Sequence, residues 1–187
     1  MPTSYKEMLF SQAQLRARVQ QMAREISRDY AGRELLVVGV LKGAFIFMSD
    51  LIRALEVPCR ADFIRAASYG AGDESSGCVE ITKDIETDIT GRDVLIVEDI
   101  VDTGLTVQYL TETLRARHPG SLKVCVFLDK KGRRKIPFEA DYVGFSIDDG
   151  FVVGYGLDFA EQYRAFPDVY VIHAGVEKDP DGGKVDA

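Results

Sequence analysis

Cysteine is scarce in this chain. Cys59, Cys78 and Cys125 are the three present, an odd number with no C-x-x-C pair among them. That count and spacing argue against a disulfide framework and against a zinc site, and they fit a reducing compartment. Histidine is scarcer still. His118 precedes Pro119 at an expected helix end and His173 lies in an apolar run, and neither has a partner at metal-ligand spacing. Positive charge is in deficit, with 23 Lys and Arg against 30 Asp and Glu and a net charge of -7. Nucleic acid or an anionic membrane would call for a basic surface, so neither is an expected partner. A small anion stays open, because a few Lys and Arg can focus a field inside a cleft. No stretch reaches the roughly 18 apolar residues of a membrane span. The opening MPTSYKEMLF has no long apolar run before Glu7, so a signal peptide is not expected. Internal repeats and a G-x-x-x-x-G-K-[ST] loop are also missing. A soluble, cytoplasmic protein is the expectation.

What is present is enough for one domain. The chain has 187 residues, 46% hydrophobic and 28% charged, which suffices for a sizeable core. From Ser11, the residues Leu15, Val19, Met22, Ile26 and Tyr30 recur at helical spacing. Ser11 with Gln14 reads as a capping box and Gly32 as the stop. ELLVVGVL is apolar without alternation, the mark of a strand buried on both faces of a parallel sheet. KGAFIFMSDLIRALEVP reads as a helix ending before Pro58, and CRADFIRAAS as the next strand. YGAGDESSGC is an acidic, Gly/Ser-rich excursion longer than a usual connection. VEIT and DVLIVED resume strands, LTVQYLTETLRARH is a helix, and LKVCVFLD is a strand. This order predicts an α/β fold, a parallel twisted sheet flanked by helices with right-handed crossovers. After Lys130 the pattern changes to short apolar pieces, ADYVGFSI, FVVGYGLD and VYVIHAG, read as a small C-terminal hood lobe. The expected domain runs over 1–177, with a core at about 10–130 and a hood at about 131–177 joined by the N-terminal segment. EKDPDGGKVDA reads as a polar tail.

In an open parallel sheet, ligands bind beyond the carboxyl ends of the strands. Two such ends are chemically unusual. In VLKGAF, Lys42 and Gly43 stand between strand and helix. They suit an anion through backbone N–H groups and an ammonium, or they form a plain turn with an exposed lysine. In VLIVEDIVDTGLT, Asp102, Thr103, Gly104 and Thr106 lie on the turn into a helix and could form a nest for one phosphate. Asp102 could instead be an ordinary helix cap. Glu98 and Asp99 end an apolar strand, where buried carboxylates are costly. Divalent ions such as Mg²⁺ and sugar hydroxyls both satisfy carboxylates. A phosphorylated sugar with Mg²⁺ nearby meets both demands.

Val97-Glu98-Asp99-Ile100-Val101-Asp102-Thr103-Gly104 resembles the phosphoribosyl-pyrophosphate signature of the type I phosphoribosyltransferases. Leu41-Lys42-Gly43, Ser68-Tyr69-Gly70, Leu128-Asp129-Lys130 and DYVGFSIDDGFVVGYGLDFAEQYR resemble the hypoxanthine-guanine members in order and spacing, over about residues 5 to 175. The resemblance implies phosphoribosyl transfer from phosphoribosyl pyrophosphate to N9 of a 6-oxopurine, giving IMP or GMP and pyrophosphate. It implies that Glu98 and Asp99 hold the ribose hydroxyls, with Asp102, Thr103, Gly104, Leu105 and Thr106 around the 5′-phosphate. Asp102 would move the proton at purine N7. Lys42, Gly43 and Arg164 would take pyrophosphate, and the family often has a non-proline cis bond before that lysine. Lys130 would donate to the purine O6, Phe151 and Ile100 would sandwich the base, and the Val152 backbone would read its edge. Mg²⁺ would be served by Glu98, Asp99 and Asp158. Ser68 and Tyr69 would lie on a closing loop. Leu105 stands where mammalian-type members have lysine; an apolar residue there is common in bacterial-type members. A homo-oligomer, dimer or tetramer, is implied as well.

Other readings exist for several of these residues. Phe151 and Tyr155 could be core aromatics, Asp158 with Arg164 a surface ion pair, and KKGRRK a solvated face apart from Lys130. A xanthine-preferring enzyme and a nucleotide-sensing regulatory protein are the competing functions. Lys130 argues against adenine, since a donor facing a 6-amino group leaves both unpaired.

Overall fold

The computed structural model describes residues 5–69 and 78–173. In chain order the elements are β1 (Tyr5–Phe10), α1 (Gln12–Asp29), β2 (Leu35–Val40), α2 (Phe45–Ala54), β3 (Cys59–Tyr69) and β4 (Cys78–Lys83). They continue with β5 (Asp93–Val101), α3 (Leu105–Arg115), β6 (Ser121–Lys130), β7 (Tyr142–Ile147), β8 (Phe151–Val153) and β9 (Val169–His173). Six strands form one sheet in the order β4-β3-β2-β5-β6-β7. All its pairings are parallel except β3 with β4. β1, β9 and β8 form a separate antiparallel sheet.

The apolar runs bury both sheet faces, as their lack of alternation predicts. Along β2, Leu35 and Val37 pack into the cluster beneath α1 and α2, while Leu36, Val38 and Val40 pack into the cluster beneath α3. α1 starts at the predicted capping box: Gln14 N–H donates to Ser11 Oγ (3.4 Å) and Ser11 N–H to Gln14 Oε1 (2.9 Å). The stripe Leu15, Val19, Met22, Ile26 and the following Tyr30 is buried throughout.

Three boundaries differ from the sequence reading. α2 begins at Phe45, because residues 41–44 form a turn closed by Ala44 N–H to the Val40 carbonyl at 3.2 Å. α3 stops at Arg115, and His118 before Pro119 adopts φ 56°, consistent with the exclusion of α conformation ahead of proline. ADYVGFSI, read as part of the hood, instead supplies β7 to the main sheet, parallel to β6 from Cys125↔Tyr142 to Lys130↔Ile147. Its crossover, residues 131–141, contains no helix, so the βαβ pattern that marks a parallel strand is missing. The hood sheet itself is β8 and β9 with the N-terminal β1, Tyr5 pairing with His173 and Met8 with Tyr170. Among the described residues no helix is long and apolar enough to cross a membrane.

Candidate active site

The chain leaves β2 toward β3 on one side and β5 toward β6 on the other, so strand order reverses between β2 and β5. That reversal opens a crevice beyond the carboxyl ends of the two strands. β2 pairs with β5 only as far as Gly39↔Val97, whereas β6 continues alongside β5 to Val101↔Asp129. Glu98 to Val101 therefore lack a β2 neighbour, and the turn after β2 comes up beside them. Gly43 makes that approach possible: a Cβ there would lie 1.6 Å from Asp99 Oδ2. Gly156 does the same on the hood side, where a Cβ would meet the Gly43 carbonyl oxygen at 2.3 Å. The Leu41–Lys42 peptide is cis.

Glu98 is 7% exposed. Burial pushes its carboxyl well above the ordinary range, and the adjacent Asp99 charge pushes the same way. Burial raises Asp99 too, opposed by its hydrogen bond with Glu98, the backbone N–H of Ile100 and the Arg164 charge. The two acids are linked by Asp99 N–H to Glu98 Oε1 at 3.3 Å. An acid pair in this condition wants a cation or hydroxyl donors. Among the described residues no three His, Cys, Asp or Glu converge to hold a metal unaided. Mg²⁺ commonly binds through one or two carboxylates plus waters and substrate phosphates, and the pair fits that mode.

Beyond β5 a small pocket of about 120 Å³ is lined by Glu98, Ile100, Val101, Asp102, Thr103, Gly104, Thr106 and Val107. The α3 N-cap is Gly104 at φ 88°, with no side-chain cap bond. Asp102 is thus not the helix cap that the sequence also allowed; Leu105 N–H donates to Thr103 Oγ1 at 3.4 Å, and the next N–H groups of α3, those of Thr106 and Val107, stay available to an anion. Asp102 Oδ1 is buried without a partner, while Oδ2 lies 3.9 Å from Lys130 Nζ and 3.7 Å from Arg133. Lys130, at the end of β6, is buried and pairs with Asp149 at 3.0 Å. Asp149 is exposed and its carboxyl sits below the usual range, chiefly through the Gly150 N–H and then Lys130.

The hood faces this row. Phe151 is 48% exposed and meets Phe159 edge-on at 5.2 Å, so the core reading of Phe151 fails. Tyr155, by contrast, is a core aromatic whose hydroxyl donates to Asp50. Val152 is buried, 7% exposed, on the edge strand β8, which pairs with β9 on one side only. Arg164 binds Asp158 at 2.7 Å, Glu161 at 3.4 Å and the Gly156 carbonyl at 2.8 Å. Lys42 reaches the same Glu161 carboxylate at 3.0 Å. Ala160, Glu161 and Tyr163 all have positive φ, 50°, 64° and 72°. Strain of this kind in non-glycine residues tends to gather at functional sites.

The fold thus brings Lys42, Gly43, Glu98, Asp99, Ile100, Asp102 to Thr106, Lys130, Phe151, Val152, Asp158 and Arg164 to one end of the sheet. Ser68 and Tyr69 end β3; their side chains and the segment 70–77 lie outside the described residues, and so does the expected closing loop. Glu161, Asp149 and Phe159 escaped the sequence reading, since no spacing ties them to their partners. The solvated-face reading of KKGRRK fails at Arg134, whose side chain is 16% exposed and bonded to the Asp102 carbonyl.

Comparison with known proteins agrees with this arrangement. The phosphoribosyl transferase domain family matches residues 6–160. A hypoxanthine-guanine phosphoribosyltransferase of Aquifex aeolicus is 47% identical over 167 residues, covering 89% of this chain and 94% of that protein. A hypoxanthine phosphoribosyltransferase of Salmonella typhimurium is 46% identical over 163 residues, covering 86% and 92%. The crystal structure of a hypoxanthine-guanine phosphoribosyltransferase from Bacillus anthracis, with HEPES in its active site, superposes with a TM-score of 0.85 at 46% identity, covering 88% of this chain and 97% of that one. With the buried Glu98 and its neighbour Asp99 beside the start of α3 at the switch point, and with these relatives covered over nearly their whole length, the chain belongs to the phosphoribosyl transferase family, in its hypoxanthine-guanine branch.

Proposed function

We propose that this protein transfers the 5-phosphoribosyl group from phosphoribosyl pyrophosphate to N9 of hypoxanthine or guanine, giving IMP or GMP and pyrophosphate. The observation that carries this is the row along the crevice: the turn at Lys42–Gly43 close against Asp99, the buried Glu98 beside that acid, a helix start at Gly104 without a side-chain N-cap, and the Asp102–Lys130 couple. In the reaction the N9–C1′ bond forms, the C1′–pyrophosphate oxygen bond breaks, and the N7 proton leaves. Asp102 Oδ1, buried and unpartnered, is the acceptor for that proton. Lys130 donates to O6. Phe151 and Ile100 flank the base, and the Val152 backbone meets its edge.

Glu98 and Asp99 receive the ribose 2′- and 3′-hydroxyls and face the positive charge that develops at C1′. The residues Asp102 to Thr106 hold the 5′-phosphate through backbone N–H groups and hydroxyls, so Leu105 in place of a lysine costs no activity. Lys42, Gly43 and Arg164 hold the leaving pyrophosphate. Mg²⁺, when bound near Glu98, Asp99 and Asp158, neutralises charge on the pyrophosphate. The protein acts in the cytoplasm as a dimer or tetramer, for which light scattering is the check.

The test is a spectrophotometric panel of hypoxanthine, guanine, xanthine and adenine with Mg²⁺ and phosphoribosyl pyrophosphate. Turnover of hypoxanthine or guanine supports the reading, and consumption of no base defeats it. Turnover confined to xanthine would move the specificity while leaving the reaction class intact.

A further inference from the structure

One half-buried cation stands behind the reacting groups. The Arg134 guanidinium joins three stretches of chain. Its Nε–H donates to the Asp102 carbonyl oxygen at 3.1 Å, and one terminal nitrogen donates to the Phe138 carbonyl at 2.6 Å. The other terminal nitrogen pairs with the Asp129 carboxylate. The two side chains are 16% and 14% exposed, so the pair is largely shielded, and three of the five guanidinium N–H groups have partners. Asp129 immediately precedes Lys130 on β6. The guanidinium therefore ties the backbone of Asp102 to the strand end that carries Lys130, whose ammonium is 3.9 Å from the Asp102 carboxylate.

The two residues that follow Arg134 also hold the phosphate turn. Lys135 N–H donates to the Thr103 carbonyl at 3.0 Å. Ile136 packs so close to Gly104 that a Cβ there would lie 2.9 Å from Ile136 Cγ1. The Arg134 guanidinium makes neither of these contacts, although Arg134 Cδ also packs on Gly104, 3.2 Å from where its Cβ would lie.

We propose that Arg134 is a positioning residue for the purine half of the reaction: it sets the spacing between Asp102 at N7 and Lys130 at O6. This rests on the roles proposed for those two residues. The function needs a planar fork with several donors in fixed directions, which lysine lacks although it keeps the charge. Small errors in the placement of reacting groups are costly to turnover, whereas Glu98, Asp99, Lys42 and Arg164, assigned to the ribose hydroxyls and the pyrophosphate, receive no bond from the Arg134 guanidinium.

The test compares wild type, Arg134→Lys and Asp129→Asn in steady-state kinetics, with thermal melts on the same preparations. Arg134→Lys should lower kcat with hypoxanthine by about 10–100-fold, with KM for phosphoribosyl pyrophosphate within about threefold of wild type. Asp129→Asn frees one arm of the fork and should show the same split with a smaller loss. A structural role alone would scale activity with the folded fraction and leave no split. Arg134→Lys within about threefold of wild type in kcat, or equal losses for base and phosphoribosyl pyrophosphate, overturns the proposal. If Arg134→Lys does not fold, the split in Asp129→Asn decides by the same criterion. Inactive wild type would instead sink the phosphoribosyl-transfer reading from which this one starts.

Discussion

Replacing Glu98 by Gln tests the physical reading of the acid pair directly. Glu98 is 7% exposed, and burial and Asp99 together raise its carboxyl well above the ordinary range. Between its unfolded and folded values, the native protein holds a proton that the unfolded chain has released. Native stability therefore falls as pH rises through that window, by up to about 1.4 kcal/mol per pH unit for one proton. Glutamine has the shape of the protonated form and does not titrate. Variant and wild type should match near pH 5, and the variant should become the more stable as pH rises. For a domain of this size 1 kcal/mol is about 2–4 °C in Tm, so the gap should open by about 3–5 °C per pH unit at most. It levels off once the native acid ionises. Because the two acids titrate together, the gap reports the proton of the pair. Melts at pH 5 to 9 without divalent ions measure it. Adding Mg²⁺ with phosphoribosyl pyrophosphate should stabilise wild type more than the variant, since only wild type has a second carboxylate to offer. A gap that stays constant or shrinks with pH refutes the reasoning. Turnover by Glu98→Gln should fall even as its Tm rises, the usual conflict between a site's chemistry and stability.

Three further outcomes are expected. Asp102→Asn should cut kcat by about 10²–10⁴ with the melt unchanged, and turnover within a few-fold of wild type would remove Asp102 from proton transfer. Lys130→Ala should weaken the purine far more than phosphoribosyl pyrophosphate in separate binding titrations; equal losses would mean that Lys130 does not read the base. Glu161 occupies the two cations assigned to pyrophosphate, Lys42 at 3.0 Å and Arg164 at 3.4 Å. Exposed pairs of this kind are weak, so Glu161→Gln should tighten inhibition by pyrophosphate by only about two- to fivefold. Weaker inhibition would show that the carboxylate assists the anion instead of competing with it.

The sequence by itself determined the α1 helix, the buried parallel strands and the signature loop. In each case the deciding force is local or acts along one element. Ser11 and Gln14 cap one another, helical spacing places Leu15 to Tyr30 on one face, and unalternating apolar runs have no stable place except between two layers. The loop from Glu98 to Thr106 was legible for the same reason, since nine consecutive residues hold the acids, the glycine and the hydroxyls. Tertiary structure decided the rest. β7 joined the main sheet through pairing with β6, across a crossover without a helix to announce it. Gly43 earns its place only because Asp99 lies where its Cβ would be, 56 residues further along the chain. The partnerships of Lys42 with Glu161 and of Lys130 with Asp149 span separations of 119 and 19 residues and follow no period. Asp102 shows both levels at once. Its sequence position allowed a helix cap or a proton acceptor, and the cap was excluded only when Gly104 took that position in the left-handed region.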